Sequence, residues 1–154
     1  QAVSNDDQVN RSESPVAPRP AAIPNLAVIS DDDPELAAAM QAARDTLDGA
    51  RHRWLAATPE EREAQYFIKF FIDTGERREF LWLSPRHWSP FRIEGILLNE
   101  PRLATDLKAG ELVDVPIERI ADWLIRLPER TDGGYTLAVL KSRGRGVRDS
   151  SEAP

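Results

Sequence analysis

The sequence contains no cysteine, which excludes disulfides, thiol nucleophiles, cysteine-held zinc and iron–sulfur clusters together. Its two histidines, His52 and His87, are too few for a histidine-built metal centre. No Gly-rich phosphate loop, HExxH helix or EF-hand loop is present, so no cofactor and no metal site is expected. No apolar run approaches the roughly 18 residues of a membrane-spanning helix. Positive charge is also short, with 20 Lys and Arg against 26 Asp and Glu for a net charge of −6. Phosphate binding needs a positive field, so nucleic acid is not an expected partner. What is present is a chain of 154 residues, 41% hydrophobic and 30% charged, enough for one domain with a real core.

Residues 1–33 differ in kind from the rest. They hold Pro15, Pro18, Pro20 and Pro24, six acids and two bases, and no aromatic residue. Such a stretch buries too little apolar surface to offset its ordering entropy, so it reads as a disordered, Pro-rich acidic linker. The cluster Ile23, Leu26, Val28 and Ile29 is the exception, with the makings of a short docking strand. A leader of this kind has the composition of a tether to a membrane anchor, and equally of an ordinary disordered terminus. The chain starts at Gln1, which fits either a removed signal segment or a trimmed terminus. The expectation is a periplasmic or envelope-tethered protein that does not itself span the membrane. The alternative is a cytoplasmic one.

The globular part is expected over residues 34–143. Asp33-Pro34-Glu35 opens a helix with a cap, a first-turn proline and an acid suited to the positive helix end. Leu36, Met40, Ala43, Leu47, Ala50 and Trp54 recur on one helical face up to about Ala56, with Gly49 as a weak point. Thr58-Pro59-Glu60-Glu61 starts a second short turn. From Tyr66 the apolar period falls to two. Strands are expected over Tyr66 to Ile72, Arg78 to Leu83, Phe91 to Leu98, Glu111 to Val115 and Ile120 to Leu127. Pro85 and Pro90 bracket a segment that reads as an exposed loop, and Asp132-Gly133-Gly134 reads as a turn into a short helix over Tyr135 to Ser142. Residues 144–154 complete a basic run begun at Lys141 and are expected to be a flexible tail. The fold class is therefore α+β: an N-terminal amphipathic helix packed on a small antiparallel sheet or partly open SH3-like barrel, with a short C-terminal helix.

Several segments then fall into a common pattern. Ala43-Arg44-Asp45-Thr46-Leu47, Leu81-Trp82-Leu83, Gly95-Ile96-Leu97-Leu98-Asn99-Glu100-Pro101, Gly110-Glu111-Leu112-Val113, Ile120-Ala121-Asp122-Trp123 and Gly133-Gly134-Tyr135-Thr136-Leu137-Ala138-Val139-Leu140 occur in this order. Together they resemble the YegJ-like bacterial proteins, a domain family of unknown function, over about residues 36 to 143. The chain departs from that pattern at Phe80, where a histidine beside Glu79 is expected, and at Ala138, where an arginine is expected. The resemblance implies a shared fold and brings no activity or catalytic residue with it.

Six residues stand out as candidates for function. Arg86, His87 and Trp88 lie in the Pro-bracketed segment and are of the types that dominate protein–protein contacts. Trp88 has an equal alternative as a plug folded back into the barrel end. Asn99 and Glu100 precede Pro101 at a strand end, as a binding corner or as turn chemistry. Asp122 and Trp123 are neighbours and so face opposite sides of a strand. Trp123 belongs with Ala121, Ile125 and Leu127 in the core, leaving Asp122 to cap a backbone turn or pair with Arg119 or Arg126. Two functions follow. The first is a non-enzymatic module that binds a protein or peptide partner. The alternative is a metal-independent hydrolase using Glu100 and Asp122 as a carboxylate pair, with His87, which requires the three to converge on one cleft.

Overall fold

The computed structural model describes residues 33–75 and 77–152. The expected linker and its docking cluster Ile23, Leu26, Val28 and Ile29 lie outside the described residues, except for Asp33. Asp33 caps helix α1 (Pro34–Ala56), its Oδ1 accepting from the N–H groups of Glu35 at 3.1 Å and Leu36 at 3.2 Å. The buried stripe of α1 is Leu36, Ala39, Ala43, Leu47, Ala50 and Trp54. Ala39 takes the place expected for Met40, which is half-buried. Helix α2 (Pro59–Gln65) opens with a capping box, in which Thr58 and Glu61 satisfy each other's backbone N–H. From α2, Arg62 donates to the carbonyls of Trp54 at 2.7 Å and Leu55 at 2.9 Å at the end of α1, where the Trp54 carbonyl also accepts from Ala57 N–H at 3.1 Å.

Six strands follow: β1 (Tyr66–Thr74), β2 (Arg77–Trp88), β3 (Arg92–Leu97), β4 (Leu112–Pro116), β5 (Ile120–Arg126) and β6 (Thr131–Gly133). They form one antiparallel sheet in the order β4-β3-β2-β1-β5-β6. The sheet has two free edges, β4 and β6, so of the two expected forms the sheet is realised and the SH3-like barrel is not. Cross-strand register sets Ile68 beside both Leu83 and Trp123, which puts these residues on one face. That face, with Tyr66, Phe70, Leu81, Leu97 and Ile125, packs against the α1 stripe as the main core. The opposite face carries a smaller cluster of Phe67, Trp82 and Leu124, joined by Leu98 and by Leu137 of helix α3 (Tyr135–Glu152).

Three local expectations are corrected. Pro85, Arg86, His87 and Trp88 are not a loop but the end of β2, which pairs with β3 up to Trp88 opposite Ile93. Proline has no N–H for the ladder, and the register shifts between Pro85 and His87, making Arg86 the extra residue of a β-bulge. Gly95 lies opposite Pro85, and a Cβ there would overlap the Ser84 carbonyl and Leu83 Cδ1, so the two strands meet without room for a side chain. Secondly, Asp132 and Gly133 are read as a turn but belong to β6, opposite Ile125 and Leu124. Its three residues are too short to give an alternating pattern. Thirdly, α3 does not end at Ser142 as expected, and its helical backbone runs as far as Glu152.

Candidate functional site

Two polar constellations are built on this frame, and they differ in what they leave available. The first lies beneath α3. Register places Asp122 of β5 opposite Lys69 of β1, on the face away from Trp123. Gly133 and Gly134, with φ of 81° and 73°, turn the chain from β6 so that the first turn of α3 arrives over Asp122. Asp122 Oδ1 accepts from the N–H of Trp123 at 2.9 Å and of Tyr135 at 3.1 Å. Its Oδ2 accepts from Thr136 N–H at 2.8 Å and from the Thr136 hydroxyl at 2.6 Å. Asp122 is thus a cap for α3 supplied from the sheet, where a carboxylate meets the positive end of the helix. Lys69 Nζ donates to Thr136 Oγ1 at 3.0 Å and sits 5.2 Å from the ring centre of Phe80. Asp122 has 0% and Lys69 5% of its surface exposed, so water reaches neither. Burial holds the Lys69 ammonium down to about 8 against the pull of Asp122. Burial also pushes the Asp122 carboxyl up, opposed by the hydrogen bonds from Thr136 and Trp123.

A related arrangement ties α1 to the sheet. Thr46 Oγ1 accepts from Trp123 Nε1 at 3.0 Å and meets Tyr135 Oη at 3.2 Å, while Arg44 Nη1 donates to the Ile120 carbonyl at 3.2 Å. Glu79, with 1% of its surface exposed, accepts from the backbone N–H groups of Arg102, Leu103 and Ala104 at 2.5, 2.9 and 3.0 Å. These groups hold the fold, and their hydrogen-bonding capacity is spent inside the chain.

The second constellation is open. Where β2 ends against α1 and α2, a groove of about 600 Å³ runs between Trp54, Leu55 and Arg62 on one side and Arg86, His87 and Trp88 on the other. Ser89, Arg92, Glu94 and Asp114 complete its rim. Trp88 is buried and packs on Trp54 with ring centres 5.8 Å apart. The bulge leaves both Arg86 and His87 exposed, the His87 side chain at 79%. Arg86 Nη1 donates to Ser84 Oγ at 2.8 Å. Arg62 stacks on Trp54 at 4.0 Å. Of the acids on the rim, Asp114 pairs with Arg92 at 2.8 Å, and Glu94 lies 3.9 Å from His87 Nε2. Among the described residues neither Arg62 nor Arg86 forms an ion pair, and the buried Trp54 Nε1 has no hydrogen-bond partner. Among these residues no group of three His, Asp or Glu is placed to hold a metal ion.

The structure therefore joins some of the expected residues and separates others. Arg86, His87 and Trp88 share the groove. Asn99 and Glu100 do not line it: Asn99 Oδ1 accepts from Trp82 N–H at 2.6 Å, and Glu100 Oε1 accepts from Ala109 N–H at 3.2 Å. Asn99 bonds the neighbouring strand β2 where its own backbone was expected, and Glu100 bonds the backbone nine residues on. Glu100, Asp122 and His87 lie in three settings, a loop, a sealed cluster and the groove, and share no cleft. Asp122 caps a backbone turn as expected, while Arg119 pairs with Asp73 instead. Sequence reasoning missed Arg62 and Trp54 as groove residues, because the first reads as a solvated charge on a short helix and the second as core. Lys69 and Thr136 were missed because neither carries a motif, and only the register opposite Asp122 unites them.

Among the described residues no helix is long and apolar enough to cross a membrane. The chain is 32% identical over 78 residues to a protein of Neisseria meningitidis serogroup B named as an ankyrin repeat protein, covering 49% of this chain and 31% of that one. It is 25% identical over 103 residues to the Escherichia coli K12 protein YegJ, described as uncharacterized, covering 65% of this chain and 67% of that protein. No solved structure matches it. The model of one bacterial family, described as "Uncharacterized protein conserved in bacteria" (DUF2314), matches residues 33–146, and the chain belongs to that family.

Proposed function

We propose that the domain is a non-enzymatic module that binds a protein or peptide partner through the groove at the end of β2. The observation that carries this reading is the groove itself, where an aromatic wall of Trp54 and Trp88 adjoins exposed Arg86 and His87. Aromatic and arginine side chains beside a concavity are the residue types and shape that concentrate binding energy at protein interfaces. The polar groups of Asp122 and Glu79 are consumed internally, whereas Arg86 and His87 stand in solvent beside the groove. The Neisseria relative named for ankyrin repeats supports the same reading, since stacked repeats present extended binding surfaces. A site of action at the cell envelope goes with this reading, residues 1–33 having a composition compatible with a tether.

The test is affinity capture from the native host with the whole chain and with an Arg86→Glu/His87→Glu variant, whose folding is checked by its melting curve. A partner held by the parent chain and lost by the variant is the expected result. Identical protein sets on both baits, or none specific to either, would overturn the proposal.

A further inference from the structure

We infer that the occupant of this groove is an acidic peptide segment, one that places Asp or Glu beside an apolar or aromatic side chain. The inference rests on the peptide-binding reading and adds the chemistry of the partner. Its basis is charge complementarity. Of the two acids on the rim, Asp114 already has a cationic neighbour, Arg92 at 2.8 Å, while Glu94 lies 3.9 Å from His87 Nε2. Among the described residues two guanidinium groups, those of Arg62 and Arg86, form no ion pair. Arg62 spends two donors on the carbonyls of Trp54 and Leu55, and Arg86 spends one on Ser84, while an arginine carries five. The indole N–H of Trp54, in the same lining, is a further donor without an acceptor among the described residues. The groove thus holds two arginines with donors left over, and a carboxylate is the group that takes them in pairs.

The arginines are also held ready. Stacking on Trp54 and two hydrogen bonds fix Arg62, and the Ser84 hydroxyl steadies Arg86 at its bulge. Less rotamer entropy is then lost on binding a carboxylate, which is the advantage of a planar, pre-oriented guanidinium. The apolar half of the ligand is required by Trp54 and Trp88 and by Leu55, which is 47% exposed at the groove. A nucleic acid fits less well, because two arginines at one groove do not match a run of regularly spaced phosphates, and the chain as a whole carries a net charge of −6.

A displayed library of random dodecapeptides, selected on the whole chain, tests this directly, with binding of synthetic hits read by fluorescence anisotropy. The expected hits carry Asp or Glu next to an aromatic or aliphatic residue. Arg86→Glu should weaken them by about tenfold or more, while Arg77→Glu, the same charge reversal at the far end of β2, should change them less than about twofold. Raising salt should weaken the parent interaction, since exposed charges are screened. Hits that are neutral or basic yet lost in the Arg86→Glu/His87→Glu variant would overturn the acidic occupant and leave the peptide-binding reading standing. Competition by an oligodeoxynucleotide as effective as that by the peptides would also overturn it. A selection yielding no hits that depend on the groove would overturn both.

Discussion

Under α3 and in the groove, the domain places similar ingredients, a cation beside aromatic rings, and treats them in opposite ways. Lys69 lies against Phe80 and Trp82 with Thr136 and Asp122 closing over it, and the carboxylate there receives four hydrogen bonds from within the chain. Arg62 lies against Trp54 with one flank open, and Arg86 and His87 stand beside it in solvent. A cluster whose donors and acceptors match within the chain serves stability, because a buried polar group without a partner is costly. One with surplus donors at a surface has something left to give a ligand. The distinction lies in who satisfies the polar groups, since residue type alone is nearly the same in both places.

The comparison is sharpest where it is broken. Asp122→Ala should cause the largest change, roughly 3–5 kcal/mol of stability, because it strips the cap from α3 and leaves Lys69 buried without its opposing charge. Urea unfolding measures it, and a loss below about 1 kcal/mol would mean that the cluster is not sealed. A second effect concerns pH. With Lys69 held at about 8 in the fold and near 10.5 when unfolded, the unfolded chain binds more protons between these values. Stability should therefore rise as pH increases through that window, by roughly 3 kcal/mol in total from this group. Subtracting the same pH series for Lys69→Met isolates the contribution; parallel curves would refute it. Glu79→Gln comes next, at about 1.5–3 kcal/mol, since it removes the charge that three backbone N–H groups of the 102–104 loop share. Thermal melts and hydrogen exchange at those amides would report it together. Arg86→Glu should move stability least, within about 0.5 kcal/mol, because its side chain is exposed. A large destabilisation there would place the groove on the structural side of the comparison.

Much of the frame was legible before any coordinates. The start of α1 was readable because Asp33 and Pro34 act on the helix end locally, and its core stripe because burial on a helix follows a fixed period. The β1 face of Tyr66, Ile68 and Phe70 was legible for the same reason, as was the separation of Asp122 from Trp123. The β2 bulge was not. Two prolines near each other argue for a loop, and only pairing with β3 across Gly95 turns Pro85 to Trp88 into a strand. Nor was the length of α3, where Gly144 and Gly146 lie within a helix that their propensity disfavours.

The site divides in the same manner. The sequence by itself determined the α+β class, all but one residue of the helix stripe and the choice of Arg86, His87 and Trp88 as neighbours, because adjacent residues stay together in any fold. It also excluded thiol and cysteine-metal chemistry by composition. Tertiary structure alone decided that Glu100, Asp122 and His87 lie apart, that Lys69 and Thr136 seal Asp122, and that Arg62 joins Arg86 in one groove. The physical reason is range. Caps, periods and compositions act over a few residues, whereas strand register and helix docking join positions tens of residues apart, and it is at those junctions that polar groups are either satisfied or left available.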